Sequence, residues 1–360
     1  MRKPQIVIVG AGIAGAATAW SLKQAGIHDI LVVERSCQPG LHATKKNAGI
    51  LRTAIENPSI KLLAKESKTF YKDHPEKNFL SMCGLFLTAE DKKQYKWLGE
   101  PNNEINNIQK FYPDFAPPKG RNYSTWLFED EGLIDSKKLL GFFLRDIELV
   151  CDAEVFSLIK KNNTVYGINT KRETIECQTV ILAQGGWANG LCSNAGTFLP
   201  KRRHLITSPS ITSFSKDSPV VWNLGEKETY FRPLGKELLL SICDNTLVPP
   251  EEGERVDDGL LKNIKENICY WFQTNKEYKF SDSWAGLRTF GEDNSFVIGP
   301  DPKLKNLFWC GGLGGHGITT AYAAGQLAAK WVTQKKVVHP CAEAFSPKRL
   351  FDFPRLTSIK

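Results

Sequence analysis

Much is missing from this 360-residue sequence, and each absence closes off a class of function. No run approaches the roughly 18 consecutive apolar residues that a membrane-spanning helix needs, so an integral membrane protein is not expected. The nine cysteines (37, 83, 151, 177, 192, 243, 269, 310 and 341) form no C-x-x-C pair and no metal-like spacing. That argues against a bound metal and against a disulfide framework, and it favours reduced thiols in a cytoplasm-like compartment. Internal repeats and low-complexity tracts are absent, and basic residues are not interleaved with aromatics as on an RNA-binding surface. Met1-Arg2-Lys3-Pro4 carries the charge of a signal-peptide start, but the apolar segment behind it is studded with glycine, so no secretory leader is expected.

What is present is ordinary globular material: 41% hydrophobic, 24% charged and 11% aromatic residues, enough for a real core. The net charge of +8 is concentrated, since residues 1–75 hold eleven Lys and Arg against five Asp and Glu. Part of this excess is a stripe. Lys61, Lys65, Lys68 and Lys72 fall at helical spacing, which makes a solvated helix face or a contact with an acidic partner or membrane surface. The charge therefore makes no case for nucleic acid, and the expected location is cytoplasmic, with peripheral membrane association left open.

Residues 5–9 (QIVIV) read as a strand buried on both faces, followed at once by Gly10-Ala11-Gly12-Ile13-Ala14-Gly15. Residues 16–24 read as a helix with small residues toward a sheet, and a second buried strand, 30–33, ends in Glu34. Glycine is required here for a tight turn at Gly10, close approach to a pyrophosphate at Gly12, and close helix–strand packing at Gly15. The helix N-terminus faces the phosphates with free N–H groups. Glu34 can accept hydrogen bonds from a ribose 2′-OH and would repel a 2′-phosphate, which disfavours NADP and leaves FAD and NAD open.

A second glycine cluster follows the strand-like 306–310 (NLFWC): Gly311-Gly312-Leu313-Gly314-Gly315-His316-Gly317, then an Ala-rich helix over 318–332 with Gly325 inside it. No acidic residue ends a further strand, so a second dinucleotide site is not expected. A helix N-terminus aimed at a ring that becomes negatively charged, such as a reduced flavin, fits better.

Taken together, these blocks resemble the FAD-dependent D-amino-acid oxidase and dehydrogenase superfamily, most of all its bacterial D-arginine (D-amino-acid) dehydrogenase type. The likeness runs through VGAGIAGAATAWSL (9–22), VVERSCQPGLHATKKNAG (32–49), ILAQGGWA (181–188), PKRRH (200–204), DSWAGLR (282–288), FWCGGLGGHGIT (308–319) and FSPKRL (345–350). It implies noncovalent FAD, with Ala14 and Gly15 at the pyrophosphate and Glu34 with Arg35 at the adenosine. His42, Ala43, Thr44, Lys45, Lys46, Asn47, Ala48, Gly49 and Ile50 would wrap the diphosphate and flavin edge. Val155, in a strand over 154–159, would meet the adenine. Gly186 belongs to the turn that follows the 181–182 strand. Gly312, Gly314, Gly315, His316, Gly317 and Ile318 would lie by the flavin. Arg288 is similar to the family's substrate-carboxylate arginine, and Tyr230, in the strand-like ETYFRP, to the tyrosine that assists it. Two departures stand out: Lys45-Lys46 replaces a small residue followed by arginine, and residues 81–86 lack the carboxylate that members selective for basic amino acids place there.

The implied reaction is oxidation of the CH–NH bond of an amino acid, expected to be a D-amino acid, by hydride transfer to flavin N5. An imino acid forms and hydrolyses to a 2-oxo acid and ammonia. A guanidinium suits the carboxylate because its planar fork matches it bidentately. Arg232, two residues beyond Tyr230, shares its face of a strand, and Arg52 and His316 complete the candidate catalytic set. Electrons could pass to oxygen or to a quinone-type acceptor. Alternatives are a flavin amine oxidase acting on a modified uridine in tRNA, an N-methyl-amino-acid or glycine oxidase, and a flavin-binding scaffold without turnover. The fold class expected is mixed α/β. A Rossmann-like FAD-binding domain (1–75, 130–205 and 289–360) is interleaved with a mostly antiparallel β substrate domain (76–129 and 206–288).

Overall fold

In this computed structural model the residues described are 3–90, 103–104, 108–191, 198–209, 211–272 and 280–351. Short β-branched runs make the centre of a six-stranded sheet. Its order is Val297–Pro300, Leu307–Gly311, Thr179–Leu182, Ile6–Val9, Ile30–Val33 and Glu148–Val150. Neighbours run parallel except the outer pair of Val297–Pro300 with Leu307–Gly311. Because side chains alternate along a strand, Ile6 and Ile8 face the helices Ile13–Gln24 and Gly317–Thr333, while Val7 and Val9 face Val155, Leu158 and Ile168 of a three-stranded antiparallel sheet. The two helices cross closely at Gly325, where a Cβ would come within 2.5 Å of the Ala17 backbone.

The lysine-striped segment is the helix Pro58–Lys72, capped by Asn57, whose Oδ1 accepts the N–H groups of Ser59 and Ile60 at 3.0 and 3.1 Å. It buries Ile60, Leu63, Ala64, Phe70 and Tyr71, while Lys68 and Lys72 reach Asp130.

A ten-stranded sheet stands against this body. Its order is Leu313–Gly314, Asp282–Gly291, Phe198–Pro209, Glu237–Ser241, Thr229–Leu234, Val220–Asn223, Leu85–Ala89, Ser124–Phe128 and Asn103–Glu104, with Thr246–Leu247 paired to Phe198–Pro209. Only Val220–Asn223 with Leu85–Ala89 is parallel. The long strand Phe198–Pro209 stays in this sheet throughout, across the boundary that the sequence suggested after 205. The second glycine cluster links the two sheets. After Leu307–Gly311 the chain leaves the parallel sheet, joins the edge of the antiparallel one at Gly314 opposite Thr289, and turns into the helix Gly317–Thr333. The fold class is mixed α/β, with a Rossmann-type parallel sheet and a mostly antiparallel partner. Among the described residues no helix is long and apolar enough to cross a membrane, no cluster of metal-ligating side chains occurs, and the eight described cysteines are all free.

Candidate functional site

A cavity of about 750 Å³ is lined by residues of both sheets and by both glycine clusters. At one end the wall is mostly backbone. Gly10 has φ +107°, and a Cβ there would meet the Ala183 carbonyl oxygen at 2.5 Å. A Cβ on Gly15 would lie 2.0 Å from the Gly10 oxygen, so the helix sits directly on the turn, and Gly15 packs rather than lining the cavity. Gly12, Ile13 and Ala14 do line it. The Ile13 N–H donates to Thr44 Oγ1 at 2.9 Å, which is why the helix starts three residues before the apolar pattern of 16–24 suggests.

Glu34 is buried beside them. Its carboxylate accepts the N–H groups of Ala11 and Ser36, one on each oxygen at 2.9 Å, so each oxygen keeps a lone pair for a hydroxyl. Arg35 lies over the Trp187 ring, 4.6 Å from its centroid, and pairs with Glu154 at 3.3 Å, next to Val155. Gly186 lines the cavity and has no room for a side chain, a Cβ there falling 2.6 Å from Leu287.

Along the middle run His42, Ala43, Thr44, Lys46, Asn47, Ala48, Gly49 and Ile50; Lys45 points away, exposed. Glu254 clasps this loop, receiving His42 Nδ1 at 2.8 Å and Lys46 Nζ at 2.6 Å. Burial pushes the Glu254 carboxyl up, but the hydrogen bonds from Lys46 and His42 outweigh it and hold the group below its ordinary range. His42 Nε2 meets Ser36 Oγ at 2.9 Å, so both ring nitrogens are engaged, and the histidine holds the loop in place of accepting a substrate proton.

The other end is built from side chains. Arg52, Arg203, Glu228, Tyr230, Cys243, Arg288 and His316 converge there, beside Gly312, Gly314, Gly315, Gly317 and Ile318 at the start of the second helix. Arg288 Nη2 donates to Asn245 Oδ1 at 2.6 Å, and burial followed by repulsion from Arg203 pulls its pKa down to about 10. Arg52 lies 3.9 Å from the Trp222 ring centroid and is likewise drawn to about 10, by burial above all. His316 is held down to about 3, first by burial and then by the charges of Arg52 and Arg288, so its imidazole is neutral. Tyr230 is shifted upward by burial. Arg232 is not in this group. It shares Tyr230's face of the strand, but its Nε donates to the Ala48 carbonyl oxygen and its Nη1 to that of Pro233, behind the loop rather than in the cavity.

Sequence reasoning missed Arg203, Glu228, Cys243 and Glu254. Arg203 bonds the carbonyls of Cys243 and Asp244, in a turn where Cys243 adopts φ +58°. His204 locks that turn: its backbone N–H and its Nδ1 both bond Asp244, while Nε2 accepts the Asp257 N–H. Among the described residues, three buried polar atoms of the cavity wall have no partner: Gln184 Oε1, Trp187 Nε1 and Arg288 Nε. Unpaired buried polar groups are costly, and a large polar ligand satisfies them.

Residues 5–331 match the FAD dependent oxidoreductase (DAO) family. The chain belongs to that family. It is 22% identical to FAD-dependent oxidoreductase domain-containing protein 1 of Bos taurus, over 92% of this chain and 82% of that one. It is 21% identical to glycine oxidase of Bacillus licheniformis, over 95% and 96%. In fold it is similar to L-proline dehydrogenase from P. horikoshii, with a TM-score of 0.85, 19% identity, and 97% and 98% of the two chains covered. The cofactor of this oxidoreductase is FAD. The cavity suits it: the glycine-walled helix start at Gly12–Ala14 for the diphosphate, Glu34 for a ribose, and the second helix start for the opposite end.

Proposed function

We propose that this family member oxidises the CH–NH bond of an amino acid, and that Arg288 holds the substrate carboxylate. The observation that carries the reading is the pairing, at the cavity end away from the diphosphate cradle, of a buried guanidinium and Tyr230 with the start of the Gly317–Thr333 helix. A guanidinium in the cavity wall whose buried Nε has no partner among the described residues calls for an anion, and a carboxylate supplies both planar oxygens. Similarity to a glycine oxidase supports an amine next to a carboxylate, and similarity to a 4-methylaminobutanoate oxidase of Paenarthrobacter nicotinovorans supports an amino acid more broadly. The D series is the expectation carried by the sequence blocks. The division into an interleaved FAD-binding and substrate domain, and noncovalent binding, belong to the same proposal.

FAD, when bound, supplies the two-electron acceptor. The chain's own task is to orient and to manage protons. Arg288 and Tyr230 fix the carboxylate, so the Cα–H is presented in one direction. The substrate amine must be neutral before its lone pair can assist; its proton goes to solvent as it binds, and His316 at the helix start, kept neutral by burial and by Arg52 and Arg288, puts no positive charge of its own beside the amine. Loss of hydride from Cα and of a proton from nitrogen leaves an imino acid, which water converts to a 2-oxo acid and ammonia.

Anaerobic bleaching of the flavin by paired D- and L-amino acids tests the reading. Reduction by members of one series is expected, and Arg288→Gln lowers kcat/KM by about 100-fold or more. Bleaching by no amino acid of either series sinks it and returns the modified-uridine alternative.

A further inference from the structure

The substrate end of the cavity holds more positive charge than one carboxylate can use. Arg52, Arg203 and Arg288 line it. Of the carboxylates in the wall, Glu34 and Glu154 belong to the adenosine end, which leaves Glu228. Arg203 is matched. It bonds two carbonyls, at 2.7 and 3.0 Å, and although burial works against its charge, Cys243, Tyr230, Asp244 and Glu228 leave it above its ordinary value.

Among the described residues no carboxylate bonds Arg52 or Arg288, although Glu131 and Glu228 act on the charge of Arg52 from farther off. Arg52 rests on the Trp222 ring, and no hydrogen bond from its guanidinium exists among the described residues. Arg288 has one neutral amide oxygen, a weaker contact to the Asp244 carbonyl at 3.4 Å, and a buried Nε without a partner. Both charges act on the same imidazole, His316, so both sit around one space. Arg52 is also held in place. Glu131, buried, accepts the Thr53 N–H at 2.8 Å, the Thr53 hydroxyl at 2.7 Å and the Ala54 N–H at 3.2 Å, fixing the residues that follow it. A preorganised, desolvated guanidinium without an acceptor is a binding group awaiting an anion.

Resting on the proposed amino-acid oxidation, we infer that the substrate is a dianion: a primary or secondary amino acid with a second carboxylate, the first on Arg288 and the second on Arg52. The buried apolar Leu85 and Val220 complete that wall, and the segment 81–86 offers no carboxylate to a basic side chain.

The test uses the holoenzyme and compares each acid with its amide: aspartate with asparagine and glutamate with glutamine, in both enantiomers. Anaerobic flavin bleaching should give a kcat/KM for the acid at least about tenfold above that for the amide. Arg52→Gln should collapse this ratio, and Arg52→Lys should keep part of it. A readout free of turnover is the melting temperature, which malonate should raise more than acetate does, with the difference lost in Arg52→Gln. Bleaching by neutral amino acids without preference for the acids overturns the dianion and leaves the proposed function standing. A preference that survives Arg52→Gln overturns the role of Arg52. Bleaching by none of these compounds or of other amino acids removes the underlying reading itself. Where Arg52→Gln does not retain FAD, the wild-type comparison of malonate with acetate decides, and equal shifts overturn the proposal.

Discussion

The two ends of the cavity bind by opposite means. At the dinucleotide end, residues 9–15 offer main-chain groups and an absence of side chains: Gly10, Gly12 and Gly15 let strand, turn and helix come together. The substrate end relies on side chains gathered from distant positions, Arg52, Arg203, Tyr230, Arg288 and His316, each delivered by a different element. Main-chain N–H donors are neutral dipoles that always present their positive end and never titrate, so the first end is fixed by shape. The second is fixed by charge, and without an anion it carries a standing cost, since burial above all, with repulsion from Arg203, lowers Arg52 and Arg288, and burial with those two charges holds His316 below its ordinary pKa.

Shape dependence is broken most severely at Gly15. A side chain there collides with the Gly10 carbonyl at 2.0 Å and with Ile8 Cγ2 at 3.3 Å, and neither can yield without moving the central strand. Gly15→Val is expected to abolish FAD content, read as the flavin absorbance of the purified protein, and to cost about 3 kcal/mol or more in stability. Gly141→Ala is the control. It sits inside the helix Ser136–Phe143 with nothing within 4 Å of the new methyl, and it should keep full flavin content and gain about 0.5–1 kcal/mol. Full flavin content in Gly15→Val would mean that the first end is not ruled by shape.

The same contrast decides what could be read in advance. The dinucleotide end was legible because its signal is local: strand 5–9 is observed as Ile6–Val9, strand 30–33 as Ile30–Val33, and helix 16–24 as Ile13–Gln24. At the substrate end the residue types were visible but not their grouping. Arg232 does share Tyr230's face, but the Gly49–Ile50 turn passes over it, a path set by the pairing of Ile50 with Leu133, which no short-range pattern reports. Arg203 was hidden among four neighbouring polar residues. Strand alternation through PKRRH would have separated Lys201 and Arg203 from Arg202 and His204, but only the register against Asp282–Gly291, Arg203 opposite Gly286, tells which pair faces the cavity. Glu254 and Cys243 lie in turns whose sequences carry no motif.

Glu254 sharpens the comparison, because it is the side-chain clasp within the backbone-built part of the site. Glu254→Gln removes the charge that His42 and Lys46 share, leaving the 42–50 loop held by weaker neutral bonds. FAD affinity is expected to fall by about tenfold, since the lost bonds are charge-assisted but partly exposed. Titration of apoprotein with FAD measures it, and an unchanged dissociation constant would assign the loop's order to Thr44 and Asn47 alone.

The smallest effect separates the two ends by pH. The His316 imidazole titrates near 6.5 in an unfolded chain and near 3 in the folded one, held down by burial and then by Arg52 and Arg288. Between these values the unfolded chain binds a proton that the folded chain refuses, so stability rises with pH across that window; above 6.5 neither form binds it and the slope vanishes. For the apoprotein this one group is worth about 1 kcal/mol between pH 7.5 and 5.5. Urea unfolding at the two values should show the loss on acidification, and His316→Asn should reduce it by that amount. The backbone-built end, which holds no titrating group of this kind, contributes nothing to this slope. A slope unchanged in His316→Asn would mean that the folded site does not keep the imidazole from its proton.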